Sequence, residues 1–310
     1  MLSSNRWGIL GKASMARRLT KSLNSLKQKV LYVATRKKYL HKNKKFCTYQ
    51  QLLSKKDIDH IYIPLPNSLH FLWSKKFLLQ SKNVLVEKPA VLSSKHLHEL
   101  LKIAKKKNVL FKEALMYRHN FETIKFLKIL KKLLKKNKIE KIECEFSKKI
   151  NFSKKNIRFS KKLEGGCLND LGYYGISMIN AILPSAKLKK ITFIEKELKK
   201  KIFTKVHFKL SMQNKIVAEI KSSFNNNNNY VKIYFNNKSI LYKNCFTYNE
   251  NKVIEISTKK NLTKIRLPTS QDRYIDQINN YNNNKIYSIE EMKKNIDFLE
   301  KINNSIIHSK

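Results

Sequence analysis

Glycine and proline are scarce in this 310-residue chain, with six of one and five of the other. The four cysteines (Cys47, Cys144, Cys167 and Cys245) lack paired spacing. That excludes a disulfide framework or zinc ribbon and fits reduced thiols in a cytoplasmic compartment. Eight histidines without ligand spacing give no reason to expect a metal. No run of about 18 apolar residues exists, which excludes a membrane-spanning helix. The opening MLSSNRWGIL lacks the basic leader and long apolar core of a secretory signal. Acids are also few: 22, against 66 lysines and arginines, for a formal charge of +44. What is present is 42% hydrophobic and 10% aromatic. That is enough to bury a core, and the length suits two domains.

A charge of this size points first to a polyanion partner. The cations, however, are 58 lysines and only eight arginines, beside 32 asparagines. AT-rich codons produce this bias, whereas nucleic-acid binders lean on the planar arginine fork. The lysines run through the whole chain with no basic tail, so solvated lysine faces are expected. Neither a specific nucleic-acid partner nor a membrane partner is expected; salt-sensitive attraction to polyanions is a by-product.

Against this bias the surviving glycines mark special backbone positions. They form two clusters, Gly8 and Gly11, then Gly165, Gly166, Gly172 and Gly175, and three of the five prolines (Pro64, Pro66, Pro89) share one window of 26 residues. The first 118 residues alternate strand and helix. Strands are expected at Arg6–Leu10, Val30–Ala34, His60–Ile63, Asn83–Val86 and Val109–Phe111. Helices are expected at Lys12–Leu26, Leu69–Gln80 and Ser93–Lys107. That order implies an α/β, doubly wound parallel sheet of Rossmann type. The second half opens with a helix at Phe121–Lys136, a strand at Ile139–Ile150 and a helix at Leu168–Leu183. From Leu188 to Leu267 it reads as alternating strands, with Asn225–Asn229 as a hairpin loop. Helices Gln271–Tyr281 and Ile289–His308 close it. The expectation is a dinucleotide-binding domain at 1–118, followed at 119–310 by an α+β domain with an open, largely antiparallel sheet for substrate and oligomer contacts.

The run Trp7 to Ala16 ends a strand and opens a helix. It fits a G-x-G-x-x-G/A turn with Gly11 first, Ala13 in the second slot and Ala16 in the third. Gly11 permits the turn, Ala13 lets backbone approach a pyrophosphate, and the helix start (Ser14, Met15) offers N–H groups to phosphate. A glycine-bearing strand–helix turn alone is common. Thr35, Arg36 and Lys37 strengthen the reading, because an NAD site would place an acid there, and cations suit the 2′-phosphate of NADP. The plainer reading, that Arg36 and Lys37 are two more surface cations, stays open.

Gly8 to Ala16, Ile63 to His70, Val86-Glu87-Lys88-Pro89, Glu113 to Arg118, Asn156-Ile157-Arg158 and Gly165 to Tyr174 occur in one order. Together they resemble the Gfo/Idh/MocA oxidoreductases, closest to the NADP-linked branch of dihydrodiol and D-xylose dehydrogenases and also akin to glucose–fructose oxidoreductase. The resemblance implies NADP, with NAD less favoured, and a sugar, polyol or diol substrate whose hydroxyl or carbonyl exchanges a hydride with it. It implies that Lys88 sits beside the nicotinamide, that Tyr174 exchanges the proton and that Asp170 orients substrate or tyrosine. Gly8, Gly11, Ala13, Ser14, Met15, Thr35, Arg36, Lys37, Pro64, Pro66, Asn67, His70, Glu87, Lys88 and Arg118 make up the cofactor-contacting set. It also implies a homo-oligomer, dimer or larger.

General chemistry agrees with these roles. A tyrosine near pKa ~10 is a poor base at neutral pH until a neighbouring cation favours its phenolate. Lys88 follows strand residues Val84–Val86 and so falls at a carboxyl end, where open α/β sheets bind ligands. Tyr174 could instead be a core aromatic beside Asp170 on one helical face, and His70 a helix cap. Asn120, Tyr173 and Ser177 depart from the family pattern, which bears on substrate fit and on retention of activity. The alternative reading is a catalytically impaired dinucleotide-binding homologue acting as a sensor; intact Lys88 and Tyr174 oppose it.

Overall fold

A computed structural model of the chain describes residues 5–36, 45–213, 215–247, 252–268, 272–281 and 283–308. It divides into two units: Met1–Met116 with Tyr274–Asn282, and Tyr117–Arg273 with Asn283–Lys310. The division falls two residues before the expected boundary, and a late segment returns to the first unit.

In the first unit, apolar strands alternate with amphipathic helices. The elements are β1 (Arg6–Leu10), α1 (Ser14–Ser25), β2 (Lys29–Ala34), β3 (Phe46–Cys47), α2 (Tyr49–Leu53), β4 (His60–Ile63), α3 (His70–Leu79), β5 (Asn83–Glu87), α4 (Ser94–Lys107) and β6 (Phe111–Ala114). All strand pairs are parallel, in the order β3-β2-β1-β4-β5-β6. This is the doubly wound dinucleotide-binding order, with its switch point between β1 and β4. β1, β4 and β5 are buried because helices cover both sheet faces. Trp7, Ile9, Leu19, Tyr62 and Leu85 centre the core, and Tyr274 and Tyr281 join it.

The second unit contains α5 (Phe121–Leu134), β7 (Ile139–Ser147), α6 (Tyr173–Ile182), β8 (Leu188–Lys199), β9 (Ile202–Met212), β10 (Val217–Ser223), β11 (Asn228–Phe235), β12 (Lys238–Lys243), β13 (Lys252–Thr258) and β14 (Leu262–Leu267). It ends with α8 (Ile289–His308). A helix α7 (Arg273–Asn279) straddles the division between units. The sheet order is β14-β13-β12-β11-β7-β10-β9-β8, antiparallel except for the parallel pair β7–β10. Buried Ile142, Cys144, Phe146, Ala218 and Ile220 alternate with polar residues along β7 and β10. α6 packs closely on these two strands: a Cβ at Gly175 would lie 3.1 Å from Ile220 and 3.3 Å from Cys144 Sγ.

Two expectations need correction. Asn225–Asn229 is not a hairpin loop: β10 and β11 are not neighbours, β7 lies between them, and Asn228 and Asn229 already pair with Ser147 and Phe146. The helix expected from Leu168 starts as a π-helical turn, Leu168–Gly172, before α6 begins. β3 and α2 were not anticipated. Five- and two-residue elements show no usable periodicity, although Thr48 and Gln51 form a capping box at α2.

Candidate functional site

In the first unit, β1 ends at Leu10 and the chain turns at Gly11, whose φ of +125° favours glycine. The Gly11 N–H donates to the Ala34 carbonyl at 3.0 Å, which ties the turn to the carboxyl end of β2. A Cβ at Gly11 would meet Leu65 at 3.1 Å and the Tyr49 hydroxyl at 3.7 Å. Ala13 is the N-cap of α1, and no side chain caps that helix. Ala13 and Ser14 are exposed, and Met15 is half-buried with its Sδ 3.3 Å from the Tyr274 hydroxyl. Such an end attracts anions through its N–H groups and dipole. Gly8 lies inside β1, where Ile61, Leu52 and Ile58 would crowd a Cβ at 2.9–3.1 Å, so its part is packing below the turn. Thr35 is buried and bonded to the Cys47 carbonyl at 2.9 Å. Arg36 is exposed, and its charge acts on the Tyr49 phenol. Lys37 lies outside the described residues.

At the ends of β4 and β5 a second group gathers. Pro64 follows β4, and Pro66 caps the 3-10 turn Asn67–Leu69. His70 is fully buried, with its ring nitrogens each 2.8 Å from a carbonyl oxygen, of Pro89 and of Leu65. Burial pushes its pKa down against these two acceptors, and Lys88 pushes the same way. The imidazole therefore pins the Leu65 loop to the Lys88-Pro89 segment. Lys88 directly follows β5 and is half-buried. Buried Glu87 accepts from the Tyr62 hydroxyl, and Ala90 N–H donates to Glu113 at 2.6 Å. These bonds hold the backbone on either side of Lys88.

The second unit carries the other group. A Cβ at Gly165 would lie 2.4 Å from the Arg158 carbonyl, so only glycine permits this approach. That contact presses the 3-10 turn Ile157–Phe159 onto the start of the π-turn, where Arg158 Nε donates to Asp170 Oδ2 at 2.5 Å. Tyr174, four residues on, is half-buried, with its ring packed against Tyr117 (5.5 Å), Phe146 (5.1 Å) and Phe246 (5.5 Å). Asp170 and Tyr174 are thus brought to one locality. Arg118 is engaged elsewhere: it is 4% exposed, and its fork donates to both oxygens of Glu291 at 2.8 and 2.9 Å and to the Ile286 carbonyl. Sequence reasoning assigned no role to Arg158 or Arg273 and did not find the Tyr62–Glu87 bond. Their partners are remote in the chain, and arginine scarcity was the available signal.

Residues 6–115 match the family described as "Oxidoreductase family, NAD-binding Rossmann fold". Over this stretch the chain is similar to the Gfo/Idh/MocA oxidoreductases. It is 33% identical over 129 residues to the dTDP-3,4-didehydro-2,6-dideoxy-alpha-D-glucose 3-reductase of Saccharopolyspora spinosa, covering 41% of this chain and 37% of that protein. It is 29% identical over 136 residues to the D-xylose 1-dehydrogenase (NADP(+)) 2 of Haloferax volcanii, covering 44% and 41%. The matches thus span about two fifths of the length of these relatives. The fold is similar to that of KijD10, a 3-ketoreductase from Actinomadura kijaniata solved with NADP and TDP-benzene. The TM-score is 0.85 at 20% identity, over 95% of this chain and 96% of that one. Among the described residues no helix is long and apolar enough to cross a membrane, and no His/Cys/Asp/Glu group could hold a metal.

Proposed function

We propose that the chain is an NADP-dependent oxidoreductase that transfers a hydride between NADP(H) and the hydroxyl or carbonyl of a sugar, polyol or diol. The observation that carries this reading is the Gly11 turn opening onto the uncapped start of α1, bonded to the end of β2 beside Arg36. These residues fit a dinucleotide: the turn and helix end suit a pyrophosphate, and Thr35 and Arg36 suit a 2′-phosphate. From Lys29 to Lys56 the chain has no acid that could take a ribose diol. The NADP complex of KijD10 and the NADP(+)-linked xylose dehydrogenase support the same choice.

When bound, NADP(H) supplies or accepts the hydride. The chain handles the proton. In oxidation, Tyr174 as phenolate takes the substrate hydroxyl proton; in reduction, its phenol protonates the nascent alkoxide. In this reading Lys88 stands beside the nicotinamide, and Asp170 orients substrate or tyrosine. Pro64, Pro66, Asn67 and Glu87 shape the edge around Lys88, while His70 fixes that edge and Arg118 supports the fold through Glu291.

The proposal includes a cytoplasmic setting and a homo-oligomer, dimer or larger. Four buried free thiols support the first. For the second, the polar side of the second unit's sheet pairs Glu143, Glu195, Glu197, Glu219 and Glu255 with Lys141, Lys205, Lys209 and Lys243. A locally balanced face is where two copies of a +44 chain repel least.

Fluorescence titration tests the cofactor: NADPH binds saturably and at least about tenfold tighter than NADH. In turnover on a panel of sugars and diols, Lys88→Ala and Tyr174→Phe lower kcat about 10²–10⁴-fold, and Tyr174→Phe leaves NADPH affinity unchanged. Absence of saturable NADPH binding would overturn the reading.

A further inference from the structure

The carboxyl ends of β1, β2 and β3 are stitched together in the first unit. The Gly11 N–H donates to the Ala34 carbonyl at the end of β2, at 3.0 Å. The Thr35 N–H donates to the Cys47 carbonyl at the end of β3, at 2.9 Å. Thr48 and Tyr49 follow Cys47 directly, and a capping box fixes the turn they open. Thr48 Oγ1 accepts from the Gln51 N–H at 3.1 Å, and Gln51 Oε1 accepts from the Thr48 N–H at 2.8 Å. Tyr49 is the first residue of α2. Its hydroxyl comes back to the Gly11 turn, 3.7 Å from the place of a Gly11 Cβ. The Trp73 ring of α3 meets the Tyr49 ring edge-on, at 5.4 Å and 88°, and Lys76 Nζ sits 4.8 Å over Trp73.

Packing against Trp73 calls for a ring and nothing more. The hydroxyl adds a donor at a mouth formed by the Gly11 turn and the end of β2. Burial pushes the Tyr49 pKa up, against the Arg36 charge, so the phenol keeps its proton at neutral pH and can donate it. A fixed neutral donor beside an arginine fork suits a phosphate oxygen. Arg36 is exposed and by itself holds an anion loosely. Tyr49 is half-buried, seated on a capped helix and pinned by Trp73, so little order is lost when its hydroxyl binds. The sheet order also assigns the end of the cofactor. β3 and β5 lie on opposite sides of the switch point, so Tyr49 serves the half of a dinucleotide remote from Lys88.

We propose that Tyr49 is a specificity-determining residue of the dinucleotide site, its hydroxyl donating to the 2′-phosphate of NADP alongside Arg36. The proposal rests on the NADP reading above and adds to it a residue from the segment after β3, outside both the glycine turn and the end of β2.

Calorimetric titration of the full chain with adenosine 2′,5′-bisphosphate and with adenosine 5′-monophosphate tests it, since the two ligands differ only in the phosphate at issue. The wild-type chain binds the bisphosphate at least about tenfold tighter. Tyr49→Phe keeps the ring against Trp73 and weakens bisphosphate binding about tenfold, the size of one hydrogen bond to a charged group, while monophosphate binding is unchanged. Arg36→Gln weakens the bisphosphate as well. An equal loss on both ligands places the hydroxyl at the other phosphate and overturns the proposal. A Tyr49→Phe chain that fails to fold also overturns it, because the hydroxyl then serves the fold. A wild-type chain that does not favour the bisphosphate removes the NADP reading and this proposal together. A wild-type chain that favours it, with Tyr49→Phe favouring it equally, removes this proposal alone.

Discussion

His60 opens β4 in the core of the first unit, stacked on Trp7 with ring centroids 4.8 Å apart and with the Tyr281 ring 5.7 Å away. Burial lowers its pKa from 6.5 to about 4, with Asp59 opposing more weakly. The unfolded chain therefore binds a proton at His60 that the folded chain refuses between about pH 6.5 and 4. The associated stability is fully present above pH 6.5 and is lost as pH falls through this window; buried His70, also lowered, has the same sign. We expect urea unfolding to show wild-type stability falling from pH 7.5 to 4.5. His60→Phe, which keeps the stack without a titrating ring, flattens that fall by about 2 kcal/mol. Equal slopes in the two proteins would refute this account.

Gly165 shows how one element depends on the backbone of another. The Ile157–Phe159 turn approaches it so closely that Gly165 N–H donates to the Ser160 carbonyl at 3.0 Å and Gly166 N–H to the Arg158 carbonyl at 2.8 Å. A methyl group placed 2.4 Å from that carbonyl must displace backbone, which has no cheap adjustment. Gly165→Ala should cost about 2 kcal/mol or more in chemical unfolding and loosen Arg158 from Asp170. Fluorescence-monitored denaturation checks the first effect, and a lowered kcat with little change in NADPH affinity checks the second.

The same elements mark what could be read beforehand. β1, β4 and α8 lie at their expected bounds, because Gly11 and Pro64 end the two apolar strands and α8 keeps one helical period. The Leu168–Gly172 π-turn was hidden, since the same apolar residues also satisfy a 3.6-residue period. The insertion of β7 between β10 and β11 was hidden too, because pairing partners some 80 residues apart leave no local mark. Of the site, the Gly11 turn was legible as local backbone chemistry. Arg158 with Asp170, and Arg273 with Phe246, were not, being contacts that only the folded chain assembles.

At the scale of the whole molecule the charge sets the behaviour. Sixty-six cations face 22 acids, and the polar side of the second unit's sheet uses five of those acids in ion pairs. Exposed pairs of this kind contribute only about 0–1 kcal/mol each and weaken with salt. Unmatched lysines repel one another over a Debye length of about 10 Å at 0.1 M salt, and that repulsion falls on the compact state more than on the expanded one. The two effects respond to salt with opposite signs, and the excess of cations by 44 makes relief of repulsion the larger. Raising sodium chloride from about 0.02 M to 0.5 M, which contracts the Debye length from about 20 Å to 4 Å, should therefore raise Tm by several degrees. Calorimetry across a sodium chloride series checks the direction, and a fall in Tm would mean that the ion-paired sheet face, not the surplus of lysine, governs how this fold responds to its medium.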